Sequence, residues 1–278
     1  MPEFGTAEIQ TNNLLESLLN LARSRDSLPC DCLRSVQAHQ VNKYEVDGAT
    51  LSFPLLGHFK YREHNRWVSV LPGSILVVPN ARSIDIEYIP DEAKGEVVAL
   101  SVVLMDEQLE AARLLLAAPP STEIGSVASI PVASLLEQLK RWTQTMQHGQ
   151  RALSLHAMVG IVLCLYESGY TAILHPQAPS IAMTVRKLVT RNPGHNWQSA
   201  ELEGLTGLSG ATLRRRMADE STTLRSVIAD ARMSEGLRLL MTSRLPVKTV
   251  AARVGYNSVA SFSRQFVDRY GTEPSRFR

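Results

Sequence analysis

Four arginines on two short segments with apolar backs carry the most specific chemistry in this chain. Arg214-Arg215-Arg216 follow Gly210-Ala211-Thr212-Leu213, and Arg264 follows Val259-Ala260-Ser261-Phe262-Ser263. A guanidinium stays charged at any physiological pH, and its planar fork of donors suits phosphate oxygens or the O6 and N7 of guanine. Leu213 and Met217 stand four apart, as do Phe262 and Phe266, so on a helix each pair shares one inward face. Ala211, Thr212, Arg214, Arg215 and Ala218 then divide among the remaining faces of the first segment. In the second, Val259, Ala260, Ser263 and Arg264 face outward. Ser209 and Ser258 precede the two segments and suit N-caps. Helix N-termini also attract phosphate through unpaired N–H groups, to which Thr212 and Ser261 can add hydrogen bonds.

Each segment is the second half of a repeated unit. Leu202–Met217 and Val250–Phe266 both place a small residue (Gly204, Ala252) three positions before a glycine (Gly207, Gly255) and follow it with the arginine-bearing stretch. The small residue is expected to let two helices cross closely, and the glycine to make a tight left-handed turn. This is the pattern of a helix-turn-helix, whose second helix lies in the DNA major groove. Spacing from turn to core is one residue shorter in the first unit. A helical run over Thr223–Met241 separates the units, with Leu224, Val227, Ile228, Ala231, Leu237 and Leu240 as its buried stripe. It would span about 28 Å, close to the ~34–36 Å between successive major-groove faces on one side of a duplex.

Charge agrees with this placement. The formal total of +2 hides 16 Lys+Arg against 8 Asp+Glu from Ser180 onward, and 13 against 19 before it. A basic C-terminal third on an acidic body implies a polyanion partner for that third alone. No apolar run is long enough for a bilayer span and no signal pattern opens the chain. The three cysteines, an odd number, fit a reducing compartment, so a cytoplasmic location without membrane contact is expected.

Upstream, Met1–Gly5 reads as a lead-in and Asn13–Arg23 as an amphipathic helix. Strands are predicted at Ser35–Val41, Leu51–Lys60, Trp67–Val70, Ile75–Val78, Ser83–Tyr88 and Glu96–Met105. They have turn residues such as Glu63-His64-Asn65 between them and no intervening helices, which favours a jelly-roll or barrel over a parallel sheet. Helices are predicted at Asp106–Ala117, Pro131–Gln147, Arg151–Ser168 and Ile181–Thr190. The expected class is α+β: a β jelly-roll domain with flanking helices over 1–170, a linker over 171–180, and an all-α domain with two helix-turn-helix units over 181–278.

The C-terminal part resembles the AraC/XylS family of transcriptional regulators, from about Val185 to Arg278. The strongest stretches are Val247–Tyr256, Ser261–Phe266 and Tyr270–Arg278. The strand run containing Pro72–Pro79 resembles the cupin-like domain that often precedes the DNA-binding part in that family. The resemblance implies base-edge contacts at Ala211, Arg214 and Arg215, with Arg264 touching base or phosphate. Arg216 is either a DNA contact or a solvent-facing ion-pair partner. It further implies double-stranded DNA and RNA polymerase as partners, more often as activator than as repressor released by effector.

The β-domain could enclose a small ligand, with Phe53, Leu55, Phe59, Tyr61, Trp67, Ile86 and Tyr88 as candidate lining or simply core. A protein effector, or dimerisation alone, are its other expected uses. Leu135, Leu136, Leu139, Trp142 and Met146 form a seam suited either to a homodimer interface or to packing within the domain. A cupin-type metal-dependent enzyme is the alternative from another class. His39, His58 and His64 are scattered, however, and no His-x-His occurs, so neither metal nor other cofactor is expected and the chain is read as no enzyme. Cys30-Asp31-Cys32 could be redox- or metal-responsive or inert, and two cysteines alone cannot complete a zinc site. Cys164 is expected in the core.

Overall fold

The computed structural model describes residues 3–24, 28, 30–63, 65–117, 125–175 and 180–277. The chain divides into two compact units, Met1–Pro176 and Gln177–Arg278.

The first unit opens with helix α1 (Glu3–Arg23) and continues through eight strands: β1 (Asp31–Ser35), β2 (His39–Val46), β3 (Thr50–Leu56), β4 (His58–Glu63), β5 (Arg66–Val70), β6 (Ser74–Val78), β7 (Arg82–Ile89) and β8 (Val97–Val103). They pair antiparallel in two sheets, β1-β8-β3-β6 and β2-β7-β4-β5. This interleaving is what two Greek keys produce, so the unit is a jelly-roll. A ninth strand, β9 (Ala128–Pro131), extends the first sheet beside β6 with Ile75 opposite Ile130. The predicted strand Ser35–Val41 straddles the turn between β1 and β2, and Leu51–Lys60 is two strands. The chain breaks at Gly57, where a Cβ would stand 2.6 Å from the Ile89 carbonyl oxygen.

Both faces of the first sheet are buried, and this decides where the helices sit. Leu51, Phe53 and Leu55 of β3 and Leu100 and Val102 of β8 face a layer made by α1, α3 (Leu136–Gln147) and α4 (Arg151–Glu167). Helix α2 (Asp106–Leu116) packs on α4. Alternate residues of both sheets, among them Phe59, Tyr61, Val70, Leu76, Val78, Ile86, Tyr88 and Ala99, are buried on the other side of their strands. The start of the expected linker is not a linker: Thr171–Leu174 form a 3-10 turn whose Ile173 and Leu174 belong to the first unit's core. Helix α1 begins at Glu3, ahead of both the lead-in boundary and Asn13. His64 lies outside the described residues.

Among its described residues the second unit has six α-helices, α5 (Ile181–Arg191), α6 (Ser199–Thr206), α7 (Gly210–Asp219), α8 (Leu224–Thr242), α9 (Val247–Arg253) and α10 (Val259–Tyr270), followed by a 3-10 turn over Pro274–Phe277. Helix α8 holds Val227 and Ala231 in a core with Val185, Val189, Leu202, Leu213 and Met217. Its later turns bury Leu237 and Leu240 and pack against α9.

Candidate nucleic-acid interface

Helix α6 ends at Gly207, whose φ of 67° is left-handed. Two residues later Ser209 caps α7, its Oγ accepting from the Thr212 N–H at 3.3 Å. Leu213 and Met217 are fully buried four apart. The second unit repeats the arrangement. Gly255 turns with φ 83°, Ser258 Oγ accepts from the Ser261 N–H at 3.4 Å, and Phe262 and Phe266 are fully buried. These rings form a chain, Phe262–Phe266 at 5.5 Å, Phe266–Tyr270 at 4.8 Å and Phe266–Phe277 at 5.8 Å. The aromatic core fixes the orientation of α10 about its own axis.

With the inward faces fixed, the outward ones follow. Ser209, Ala211, Arg214, Arg215 and Arg216 are exposed and Thr212 is half-buried. Ser258, Val259, Ala260 and Arg264 are exposed, while Ser261 and Ser263 are half-buried. Among the described residues, none of Arg214, Arg215 and Arg264 makes an ion pair or side-chain hydrogen bond, so their donors are available to a ligand. Arg216 differs. Its charge helps lower the pKa of Glu220, in the turn just past α7.

The small residue of the expected motif acts differently from its prediction. Gly204 is exposed and a Cβ there would meet nothing within 4 Å, so it brings no helices together. Ala252 is exposed too, and the buried small residue of α9 is its neighbour Ala251. The close approach is made at Gly236 in α8, against Phe262.

Sequence reading also missed the residues that brace the two units. Arg232 of α8 donates from Nε to the Pro193 carbonyl at 2.9 Å and from Nη2 to the His195 carbonyl at 2.8 Å. This pins the α5–α6 loop, and the turn at Gly255 sits against the same guanidinium and the same Pro193 oxygen. A Cβ on Gly194 would stand 2.8 Å from the Arg253 carbonyl, so that loop also abuts the end of α9. Glu220 accepts from Ser180 Oγ at 2.6 Å, from the Ile181 N–H at 2.7 Å and from the Ala182 N–H at 3.1 Å. Partial burial pushes its carboxyl up, but these hydrogen bonds and the Arg216 charge outweigh that and hold it below the usual range. Long-range bonds of this kind leave no periodic signal. Tyr256, whose hydroxyl donates to Gln265 Oε1 at 2.8 Å, is another instance.

In the first unit the candidate lining residues do not share one chamber. Phe53 faces the helical layer and stacks on Trp142 at 6.2 Å, and Leu55 lies in the same layer. Trp67 is on the outer face of its sheet under the Arg62 guanidinium, 5.5 Å from its ring. Phe59, Tyr61, Ile86 and Tyr88 remain together on the opposite face, Phe59 beside Tyr88 and Tyr61 beside Ile86 in register. His39 stacks on Tyr88 at 5.1 Å, and Tyr61 OH donates to the Val127 carbonyl at 3.3 Å. The seam offered as a dimer interface lies inside its own unit: Leu135, Leu139, Trp142 and Met146 are buried in its core, with Leu136 packed against it. An apolar stripe records that a helix is covered, not by what.

Burial, and then the neighbouring Cys32 and Asp31, push the Cys30 thiol up to about 12, while Cys32 Sγ donates to the Ala22 carbonyl at 3.2 Å. Cys164 is half-buried against the core, not within it. Among the described residues no group of three or more His, Cys, Asp or Glu could hold a metal ion. Nor is any helix there long and apolar enough to cross a membrane.

A jelly-roll unit followed by a unit with two capped, arginine-bearing helices defines a two-part chain of the helix-turn-helix class. A helix-turn-helix domain model matches residues 204–278. The virulence regulon transcriptional activator VirF of Shigella flexneri is 29% identical over 111 residues, 40% of this chain and 42% of VirF. The ornithine utilization regulator of Pseudomonas aeruginosa is 25% identical over 182 residues, 65% of this chain and 54% of the relative. The chain therefore aligns with well under two thirds of the length of these relatives. Among solved structures, an apo single-site lysine-to-alanine variant of ToxT of Vibrio cholerae matches with a TM-score of 0.59 at 16% identity, over 89% of this chain and 94% of ToxT, and shares its fold. Wild-type ToxT with an unsaturated fatty acid bound matches with a TM-score of 0.57. The C-terminal unit thus carries a helix-turn-helix domain similar to those of these transcriptional regulators.

Proposed function

We propose that the protein is a sequence-specific, cytoplasmic transcriptional regulator that binds one face of double-stranded DNA with α7 and α10 and activates genes by recruiting RNA polymerase. The observation that carries this reading is the pairing of exposed, uncommitted Arg215 and Arg264 on two helices whose opposite faces are fully buried. Such guanidiniums gain most of their binding energy from groups the protein itself does not supply, guanine edges and phosphates. The basic balance of the unit supports the electrostatic part.

The jelly-roll unit is the sensing part in this reading, and the buried group around Phe59, Tyr61 and Tyr88 makes a small, largely apolar effector the first class to test. The fatty acid bound to ToxT supports that choice. Homodimerisation would use a surface other than the α3 seam.

Footprinting of genomic DNA bound by the protein tests the core claim. Protection of discrete sites about two successive major grooves long, upstream of genes whose transcripts fall when the chain is deleted, is the expected result. Binding without sequence preference, or transcripts that rise on deletion, would overturn the activator reading. Affinity is expected to fall steeply with salt, since several phosphate contacts release counterions.

A further inference from the structure

The two reading helices align residue for residue at a separation of 49 positions. Ser209 and Ser258 are the caps, Leu213 with Met217 and Phe262 with Phe266 are the buried pairs, and the outward face is the same three residues in the same order. Ala211, Arg215 and Asp219 stand at i, i+4 and i+8 of α7, and Ala260, Arg264 and Asp268 stand at i, i+4 and i+8 of α10, all six exposed. The turn glycines are offset by one residue relative to this alignment, which hides the correspondence when the repeats are lined up on Gly207 and Gly255.

Each face therefore offers, from N to C, a methyl group, a guanidinium and a carboxylate over about 12 Å of helix. In a major groove a methyl meets a thymine C5-methyl, a guanidinium takes guanine O6 and N7, and a carboxylate accepts from a cytosine amino group while repelling phosphate. Identical groups at identical spacing, on helices with matching caps and inward faces, recognise identical base edges. We infer that the two helix-turn-helix units read the same short thymine- and guanine-containing element, so that the DNA site holds that element twice.

The flanking positions differ. Arg214 corresponds to half-buried Ser263, and Arg216 to Gln265, whose oxygen is engaged by Tyr256. The copy under α7 thus meets more positive charge and contributes more affinity, although the base preference is shared.

This inference rests on the DNA-binding reading and deepens it. The test is selection of bound duplexes from a randomised ~30-bp library by the full chain, followed by the same selection with Arg215→Ala and with Arg264→Ala. The wild type is expected to enrich two copies of one guanine-containing element, in either mutual orientation, centred about 10–10.5 bp apart. Each variant should lose preference for guanine, by about 5- to 150-fold, at the same position of the element but in a different copy. Two enriched elements without a shared guanine position would overturn the inference and leave the DNA-binding reading intact. Uniform loss on every sequence would also overturn it, because the arginines would then be phosphate contacts. No enrichment at all would overturn both. Melting curves of the two variants should coincide with wild type, since both side chains are exposed and unpaired.

Discussion

A Cβ placed on Gly236, in the middle of α8, would stand 2.9 Å from Cε2 of Phe262, the residue that seats α10. Phe262 is fully buried and its ring packs at 5.5 Å against both Tyr256 and Phe266, so it has little room to retreat. In Gly236→Ala the overpacking term, about 1–3 kcal/mol, is opposed by a gain of about 1 kcal/mol in helix propensity. A net loss of about 1 kcal/mol is expected in urea unfolding, with DNA affinity falling further because α10 is displaced. Unchanged stability with unchanged binding would show that the ring yields freely.

Leu139 tests whether the α3 stripe is core or interface. It is fully buried in the unit that also holds Phe53, Trp142 and Ile161. Leu139→Ala should cost about 2–5 kcal/mol, and the loss should be independent of protein concentration. A stability loss that vanishes on tenfold concentration would instead place a partner chain on this helix.

The parts of these elements legible in the sequence are those set by neighbours three or four residues away. Phe262 with Phe266, Leu213 with Met217, and the serines before them determine helix phase and start locally, and each is found as expected. Phe53 and Phe59 show where legibility ends. Both alternate correctly along their strands, yet Phe53 belongs to a sheet buried on both faces and Phe59 to the other sheet, so alternation alone cannot say that it is Phe53 that lies under the helices. Trp67 is apolar by type but sits outward beneath Arg62. Gly204 satisfied a motif whose physical reason is absent there, while Gly236 makes the contact from a position the pattern ignores.

Glu220 gives the second unit a pH-dependent tie. Its folded-state pKa is lowered against the ordinary value of 4.5, so its contribution is fully present above the unfolded pKa and disappears as pH falls through the folded value. Glu220→Gln should therefore lower the urea midpoint at pH 7, and the difference from wild type should shrink as pH is taken below the ordinary value of 4.5 and through the lowered one. A constant difference across that range would mean that shape, not charge, holds Ser180 and the start of α5.

The raised Cys30 pKa predicts a sluggish thiol, because the thiolate is the reacting species. At pH 8 the folded protein should alkylate at Cys30 at least about tenfold more slowly than in denaturant, read site by site by mass spectrometry. Fast native labelling would reopen the Cys30–Cys32 pair as a redox element.

Arg232 is where the two helix-turn-helix units are coupled, and it yields the sharpest separation of stability from function. Its guanidinium holds the Pro193 and His195 carbonyls in front of α6 and simultaneously backs the Gly255 turn in front of α10. Helix α8 joins the two units, but a single helix leaves their rotation about its axis to side contacts such as this one. A charged hydrogen bond is worth about 1.5–3 kcal/mol. Arg232→Lys keeps the charge but not the two-pronged geometry, and should lose about 2 kcal/mol in the second unit. Its larger effect should be on DNA. Affinity for a site with both elements should fall by much more than affinity for a duplex carrying one, since each helix keeps its own cap and core while their mutual register loosens. Equal losses on both duplexes would show that Arg232 stabilises the fold without setting the register, which other contacts such as that of Gly194 with the Arg253 carbonyl would then hold.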